Sequence, residues 1–371
     1  MHARAVATDA EPVTTGPAAR SGQTVEVRLA RHEVVLPGGR VAGLAVAGWG
    51  VPLVVINGFT AEGALYAQTA SRLVSMGFKV IAIDTPGHGR SSPLPRAVGG
   101  IDFAASFIGD AMDAIGIGPC ILLGHSTGGR IAAEIAADRA DQVCGLILVD
   151  AIAGQAWDKR IHNAVAVPGF GIKMAVETIA DFTLTTIRQP DLHQLSVLAK
   201  VVGASIGRTA WRPWRLLAPG GAIVTAPSSH ETLLRLRALG VRTIVVHGDR
   251  DGLVPLAVGE DAFAAAGGPL VIVEDGGHLW CLQDPEVLPA IIGDLLRYEL
   301  GDTYSDVVRR CGLDPNVATV AEIEVGAYAP GASVLDMTPP VQWRRGGPRR
   351  PPRHTWRVHT DPATLFDGTP P

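Results

Sequence analysis

Residues Ile121–Ala136 read ILLGHSTGGRIAAEIA. An apolar run halts at Gly-His-Ser-Thr-Gly-Gly and passes at once into a helical pattern. Serine and threonine ahead of a helix are ordinary N-caps, because their oxygens accept the free backbone N–H groups of the first turn. A cap needs neither flanking glycines nor distant partners, whereas a nucleophile needs both. Here Gly124-His125-Ser126-Thr127-Gly128 fits G-x-S-x-G between an apolar strand and a helix. In such a nucleophile elbow a strained turn exposes the serine oxygen, and the glycines remove Cβ atoms that would clash as strand and helix close up. The helix N-terminus behind the serine also favours developing negative charge.

Around this stretch, short β-branched runs recur: LVVIN (53–57), KVIAID (79–84), CILLG (120–124), GLILVD (145–150), TIVVHGD (243–249) and PLVIVED (269–275). Runs of this kind suit strands buried on both faces, as in a parallel sheet. Helix-length segments lie between most of them, such as AEGALYAQTASRLVSMG and DFAASFIGDAMDAIG. Strand alternating with helix is the pattern of an α/β fold with right-handed crossovers. Upstream, VEVRLARHEVV and VAGLAVA flank Pro37-Gly38-Gly39 and predict a hairpin with one solvated face. Residues 151–240 are too many for a single crossover. Helix-compatible stretches within them predict an inserted cap, with SSHETLLRLRALG as the returning crossover helix and Ser229 as its N-cap. The expected organisation is a flexible leader (1–24), a first part of the core (25–151), a helical cap (152–226), a second part of the core (227–300) and a C-terminal extension (301–371). GDTYSDVVRRCGLDPN adds a helix to that extension, while 326–371, rich in Gly, Pro and Arg, reads as a disordered tail whose removal should leave turnover intact.

Two later stretches decide between cap and nucleophile. Asp251 lies in Gly248-Asp249-Arg250-Asp251, just past a strand run, and His278 follows Gly276-Gly277 past another. Alone, each has a plain reading as a turn or loop residue. Together, the order Ser126, Asp251, His278, each at a strand's carboxyl end, is the triad order of an α/β hydrolase.

The chain thus resembles the α/β-hydrolase superfamily over residues 25–300, through GHSTGG at the elbow, DTPGHGRSS (84–92), GDRDGLVP at the acid and GGH at the base. The resemblance implies a mostly parallel central sheet flanked by helices, with the insertion as cap, and a serine hydrolase working without a cofactor. Ser126 would be the nucleophile, His278 the base that later returns the proton, and Asp251 the group that orients the imidazole. Asp249 is the nearby rival. The family's acid lies three residues after the glycine, ahead of the pair Val254-Pro255, which favours Asp251. The resemblance also assigns the oxyanion hole to the backbone N–H groups of Thr127 and Phe59, the latter in Asn57-Gly58-Phe59-Thr60, where many relatives read His-Gly. Asn57, His125, Trp157 and Trp280 are expected at the substrate pocket. Ester cleavage, lactone hydrolysis, carbon–carbon bond hydrolysis and the perhydrolysis of haloperoxidase-like enzymes all use such a scaffold, and fold alone does not choose among them. A non-catalytic receptor or scaffold is the alternative of another class.

Composition sets the remaining bounds. Of 371 residues, 47 per cent are hydrophobic and 18 per cent charged, enough for a sizeable core. A net charge of −4 gives no reason to expect a polyanionic partner. Nucleic acid is therefore not expected, although the run 341–357, with six arginines and no acid, has the composition of a phosphate contact. The four cysteines form no CxxC pair and read as free thiols in a reducing compartment. No apolar run approaches the roughly 18 residues that span a bilayer, and acids and prolines stand where a signal peptide has its apolar block. A cytoplasmic location is the expectation. No ligand-like His or Cys spacing and no GxGxxG after the first strand are present, so neither a metal nor a dinucleotide is expected. The expected partner is a small ester-like or activated carbonyl substrate.

Overall fold

The computed structural model describes residues 23–26, 29–58, 67–94, 100–165, 226–337, 342–345 and 351–362. Nine strands form the main sheet: β2 (Ala30–Val35), β3 (Val41–Gly48), β4 (Val51–Ile56), β5 (Phe78–Ile83), β6 (Cys120–His125), β7 (Val143–Val149), β8 (Arg242–Gly248), β9 (Leu270–Val273) and β11 (Trp356–His359). Their order is β11-β9-β8-β7-β6-β4-β5-β3-β2. From β5 to β9 all neighbours are parallel, and each of the six predicted apolar runs is one of these strands. Every residue of β4, β5, β6 and β7 is buried, which is why these runs show no polar alternation.

The predicted hairpin is β2 and β3, antiparallel about a turn at Pro37–Gly39. β2 alternates between half-buried and exposed positions, the solvated face read from the sequence. Its first arm starts at Ala30. Upstream, β1 (Gln23–Glu26) instead pairs antiparallel with β10 (Gln342–Arg345) in a separate two-stranded sheet.

Helices pack on both sides of the main sheet. One row is α2 (Ile101–Ile115), α3 (Thr127–Asp138), α5 (Ser229–Ala238) and α6 (Leu256–Ala266), each against the next; the other is α1 (Ala67–Ser75), α8 (Val287–Leu295) and α9 (Glu299–Arg310). Both α3 and α9 pack on β6 and β7, so the sheet lies between the rows. Of the expected cap, α4 (Gln155–Val165) is described, and residues 166–225 lie outside the described residues, as does most of the expected leader. The returning crossover helix is α5, but Ser229 is its first helical residue rather than its cap. The Ser229 hydroxyl donates to Asp158 Oδ1 (2.6 Å), while Asp158 Oδ2 accepts from the Ser229 N–H (2.9 Å). A carboxylate borrowed from α4 thus serves the helix N-terminus.

The described residues of the expected disordered tail are ordered, while 338–341, 346–350 and 363–371 lie outside the described residues. After α7 (Trp280–Gln283), α8 and α9 come α10 (Val320–Gly326), α11 (Ser333–Asp336), β10 and β11. Thr319 and Glu322 close a capping box on α10. The Tyr328 hydroxyl donates to Gly50 O (3.2 Å), its ring lies 5.1 Å from Lys79 Nζ, and Val334 is fully buried. β11 completes the sheet, antiparallel to β9 from Trp356↔Val273 to His359↔Leu270. These segments dock through single side chains and one short edge strand, which leave no periodic trace in the sequence. Among the described residues no helix is long and apolar enough to cross a membrane.

Candidate active site

The carboxyl ends of the parallel strands converge on Ser126. This residue lies between β6 and α3 at φ 55°, a left-handed backbone that side chains other than glycine adopt only under constraint. It stands at the N-cap position of α3, yet its side chain makes no cap hydrogen bond. A Cβ at Gly124 would lie 2.5 Å from the Gly128 carbonyl oxygen, and one at Gly128 would lie 2.6 Å from that of Asn57. Only glycines let strand and helix meet this closely.

The structure brings Ser126, His278 and Asp251 into one hydrogen-bonded chain. Ser126 Oγ lies 3.0 Å from His278 Nε2, and His278 Nδ1 lies 2.7 Å from Asp251 Oδ2. The tautomer that serves both contacts carries its proton on Nδ1, which donates to Asp251 while Nε2 accepts from the serine. Asp251 Oδ1 accepts from the N–H groups of Leu253 (2.9 Å) and Val254 (2.7 Å). Burial alone would raise the Asp251 pKa. The charge and hydrogen bond of His278, then His247 and the Val254 amide, outweigh it and hold the group below the usual carboxylate value. Asp249, by contrast, has no hydrogen-bond partner at Oδ1, and burial raises its pKa.

A second layer of buried polar groups supports this chain. His125 Nε2 donates to the His278 carbonyl (3.1 Å). Burial, with the nearby His278, lowers its pKa to about 3, so it stays neutral. His247 Nε2 donates to Val254 O (2.8 Å) and lies 3.9 Å from Asp251. Asp150 follows β7 directly and is fully buried. Ligating atoms of Asp150, His247 and Asp251 fall within 4.8 Å of one another. Most of them are already committed to Gly248, Val254 and His278, which accounts for the cluster as a hydrogen-bond network. Sequence reading gave Asp150 no role and set His247 aside for want of ligand-like spacing, although GLILVD ends in one and TIVVHGD carries the other inside an apolar run.

The expected pocket residues separate. A cleft of about 260 Å³ lies beside the elbow, lined by Ile101, Arg130, Ile152, Trp157, Ile161 and Ala226 among others. The backbone N–H groups of Arg130 (3.4 Å) and Ile152 (3.3 Å) both donate to the Ser126 carbonyl, so the cleft wall is continuous with the elbow. Trp157 lines it and packs with Ile152, Ile161, Val254 and Val258. Trp280, expected there too, is instead fully buried in the main core, its indole N–H without a hydrogen-bond partner. His125 is buried against the His278 loop. Asn57 is buried with neither amide atom hydrogen-bonded. At Gly58 the chain passes so close that a Cβ would lie 3.0 Å from that of Ser126. Thr127 opens α3, where N–H groups lack partners within the helix. Phe59 lies outside the described residues.

Comparison with known proteins bears on the family and the fold. The profile of the Alpha/beta hydrolase family matches residues 53–290. A candidate non-heme haloperoxidase of Mycobacterium phage D29 is 30% identical over 278 residues, covering 74% of this chain and 96% of its own. The pimeloyl-[acyl-carrier protein] methyl ester esterase of Chromobacterium violaceum is 28% identical over 223 residues, 59% of this chain and 72% of its own. Among solved structures, a thermophilic esterase from Thermogutta terrifontis superposes with a TM-score of 0.55 at 22% identity, over 72% of this chain and 98% of that one. A family match across most of the sheet, with the serine elbow inside it, settles descent: the chain belongs to the alpha/beta hydrolase family.

Proposed function

We propose that the protein is a serine hydrolase that cleaves an ester-like or activated carbonyl substrate through an acyl-enzyme, with no cofactor. The observation that carries this reading is the chain Ser126 Oγ–His278–Asp251, at 3.0 and 2.7 Å. A serine hydroxyl is a poor nucleophile at neutral pH. As Ser126 Oγ attacks the carbonyl carbon, its proton passes to His278 Nε2. Asp251, held ionised by its surroundings, fixes the Nδ1–H tautomer and stabilises the imidazolium. The N–H of Thr127 would bind the oxyanion, joined by that of Phe59 on the sequence argument alone. Collapse expels the leaving group with the proton from Nε2, and water repeats the cycle on the acyl-enzyme. Four free thiols, three of them buried, support a reducing compartment such as the cytoplasm.

A fluorophosphonate probe should label the protein, and Ser126→Ala should abolish both labelling and p-nitrophenyl ester turnover, the latter by about 1000-fold or more. Labelling that survives Ser126→Ala sinks the assignment. Asp251→Asn should cost about 1000-fold or more in kcat while Asp249→Asn stays near wild type; the reverse would make Asp249 the acid. The likeness to the phage protein favours a second reading, perhydrolysis, in which hydrogen peroxide replaces water and releases a peracid from the acyl-enzyme. Peracid formation from acetate and peroxide, without ester cleavage, would select it.

A further inference from the structure

Asp150 is a buried acid with no direct part in that chemistry. It follows β7, the strand between those that lead to Ser126 and Asp251. Its backbone sits at φ 43°, and Ser126 and Asp275 are the other non-glycine residues so held among those described. Such strain persists only where the surroundings impose it. The Asp150 N–H donates to Val246 O (2.9 Å), and Oδ1 accepts from the Gly248 N–H (2.8 Å). Gly248 opens the loop to Asp251, and the Asp251 N–H returns to the Gly248 carbonyl (3.3 Å). On its other side, Oδ2 lies 4.0 Å from His125 Nε2, the atom that donates to the His278 carbonyl. Oδ2 itself has no hydrogen-bond partner, and neither has the buried indole N–H of Trp280, two residues past His278.

We propose that Asp150 is a positioning residue: through Gly248 it fixes the loop that carries Asp251, and by packing against His125 it fixes the loop that carries His278. The inference rests on the serine hydrolase reading above. The side chain does this as a neutral acid. Asp251, His278, His125 and His247 are the titratable groups that face it. Burial first, then the Asp251 charge, push its pKa well above the carboxylate range. An ionised Asp150 would compete with Asp251 for the imidazolium charge and draw the ring away from Ser126. A neutral acceptor holds Gly248 without adding that pull.

Two variants separate the parts of the argument. Asp150→Asn keeps the acceptor and the neutral state, and it should hold kcat within about three-fold of wild type with the acid limb of kcat/KM unmoved. Asp150→Ala removes the acceptor and should lower kcat about 30-fold with KM little changed. NMR titration of the His278 imidazole gives a readout that needs no turnover, and Asp150→Asn should match wild type. A displacement of about one pH unit or more in Asp150→Asn, by either measurement, overturns the proposal. So does an Asp150→Ala protein with wild-type thermal unfolding and wild-type kcat. If the alanine variant does not fold, the asparagine comparison decides. If wild-type Ser126 takes no probe, the hydrolase reading fails by itself, and the imidazole titration still tests Asp150.

Discussion

Gly128 is hemmed in by main chain, since the carbonyls of Ile56 and Asn57 occupy the space a Cβ would need. Backbone cannot swing aside as a flexible side chain does, so Gly128→Ala should cost about 2–3 kcal/mol or prevent folding, read from the urea midpoint. Protonation gives a second test at this scale. The folded pKa of Asp150 is raised, so its contribution to stability is whole below the unfolded value of about 3.9 and is lost as pH rises towards the folded value. Asparagine does not titrate, so Asp150→Asn should gain in melting temperature over wild type as pH rises above about 4. His125 runs the other way. With its pKa lowered to about 3, its contribution is present above about pH 6.5 and is lost on acidification. His125→Gln should therefore flatten the loss of stability below that pH. The side chains named from sequence, Ser126, Asp251 and His278, were legible because each stands where an apolar run stops. Asp150 satisfies the same criterion, but its importance depends on which strand ends are neighbours, and only the sheet order supplies that.

At the scale of elements, buried parallel strands announce themselves and edge strands do not. LVVIN and CILLG are legible as β4 and β6 because both faces are covered and every position is apolar. WRVH is β11, yet Arg357 is exposed, Val358 is 40% exposed, and arginines and prolines surround it. A strand that pairs on one side needs no such signature. Its removal has a cost that composition hides. A chain ending at residue 350 uncovers the flank of Leu270–Val273, four fully or nearly fully buried residues. It should melt at least about 5 °C lower and scatter more light on warming. An unchanged melting curve would return this segment to the status of a tail.

Across the whole molecule, the proposed chemistry and the C-terminal anchorage occupy opposite ends of the sheet. Ser126, Asp150, Asp251 and His278 follow carboxyl ends of strands. The amino ends of β4 and β5 hold the C-terminal helices: Lys79 Nζ donates to Glu324 Oε1 (2.5 Å), and the Gly50 N–H donates to Glu324 Oε2 (2.5 Å). Lys79 is fully buried and its pKa is lowered, chiefly by burial and against the pull of Glu324. Glu324→Gln strands that ammonium and should cost about 3 kcal/mol, while kcat per folded molecule stays at the wild-type value. A fall in kcat would show that the two ends communicate.

The pairing of β9 with β11 also sets an order in time. Chains emerge from the ribosome amino end first. Leu270–Val273 is therefore made well before residues 356–359, its antiparallel partner. In the interval an apolar strand shows an open row of N–H and C=O groups, which neighbouring chains readily extend. The stretch of message between the two strands thus sets how long that edge stands open in each newborn molecule.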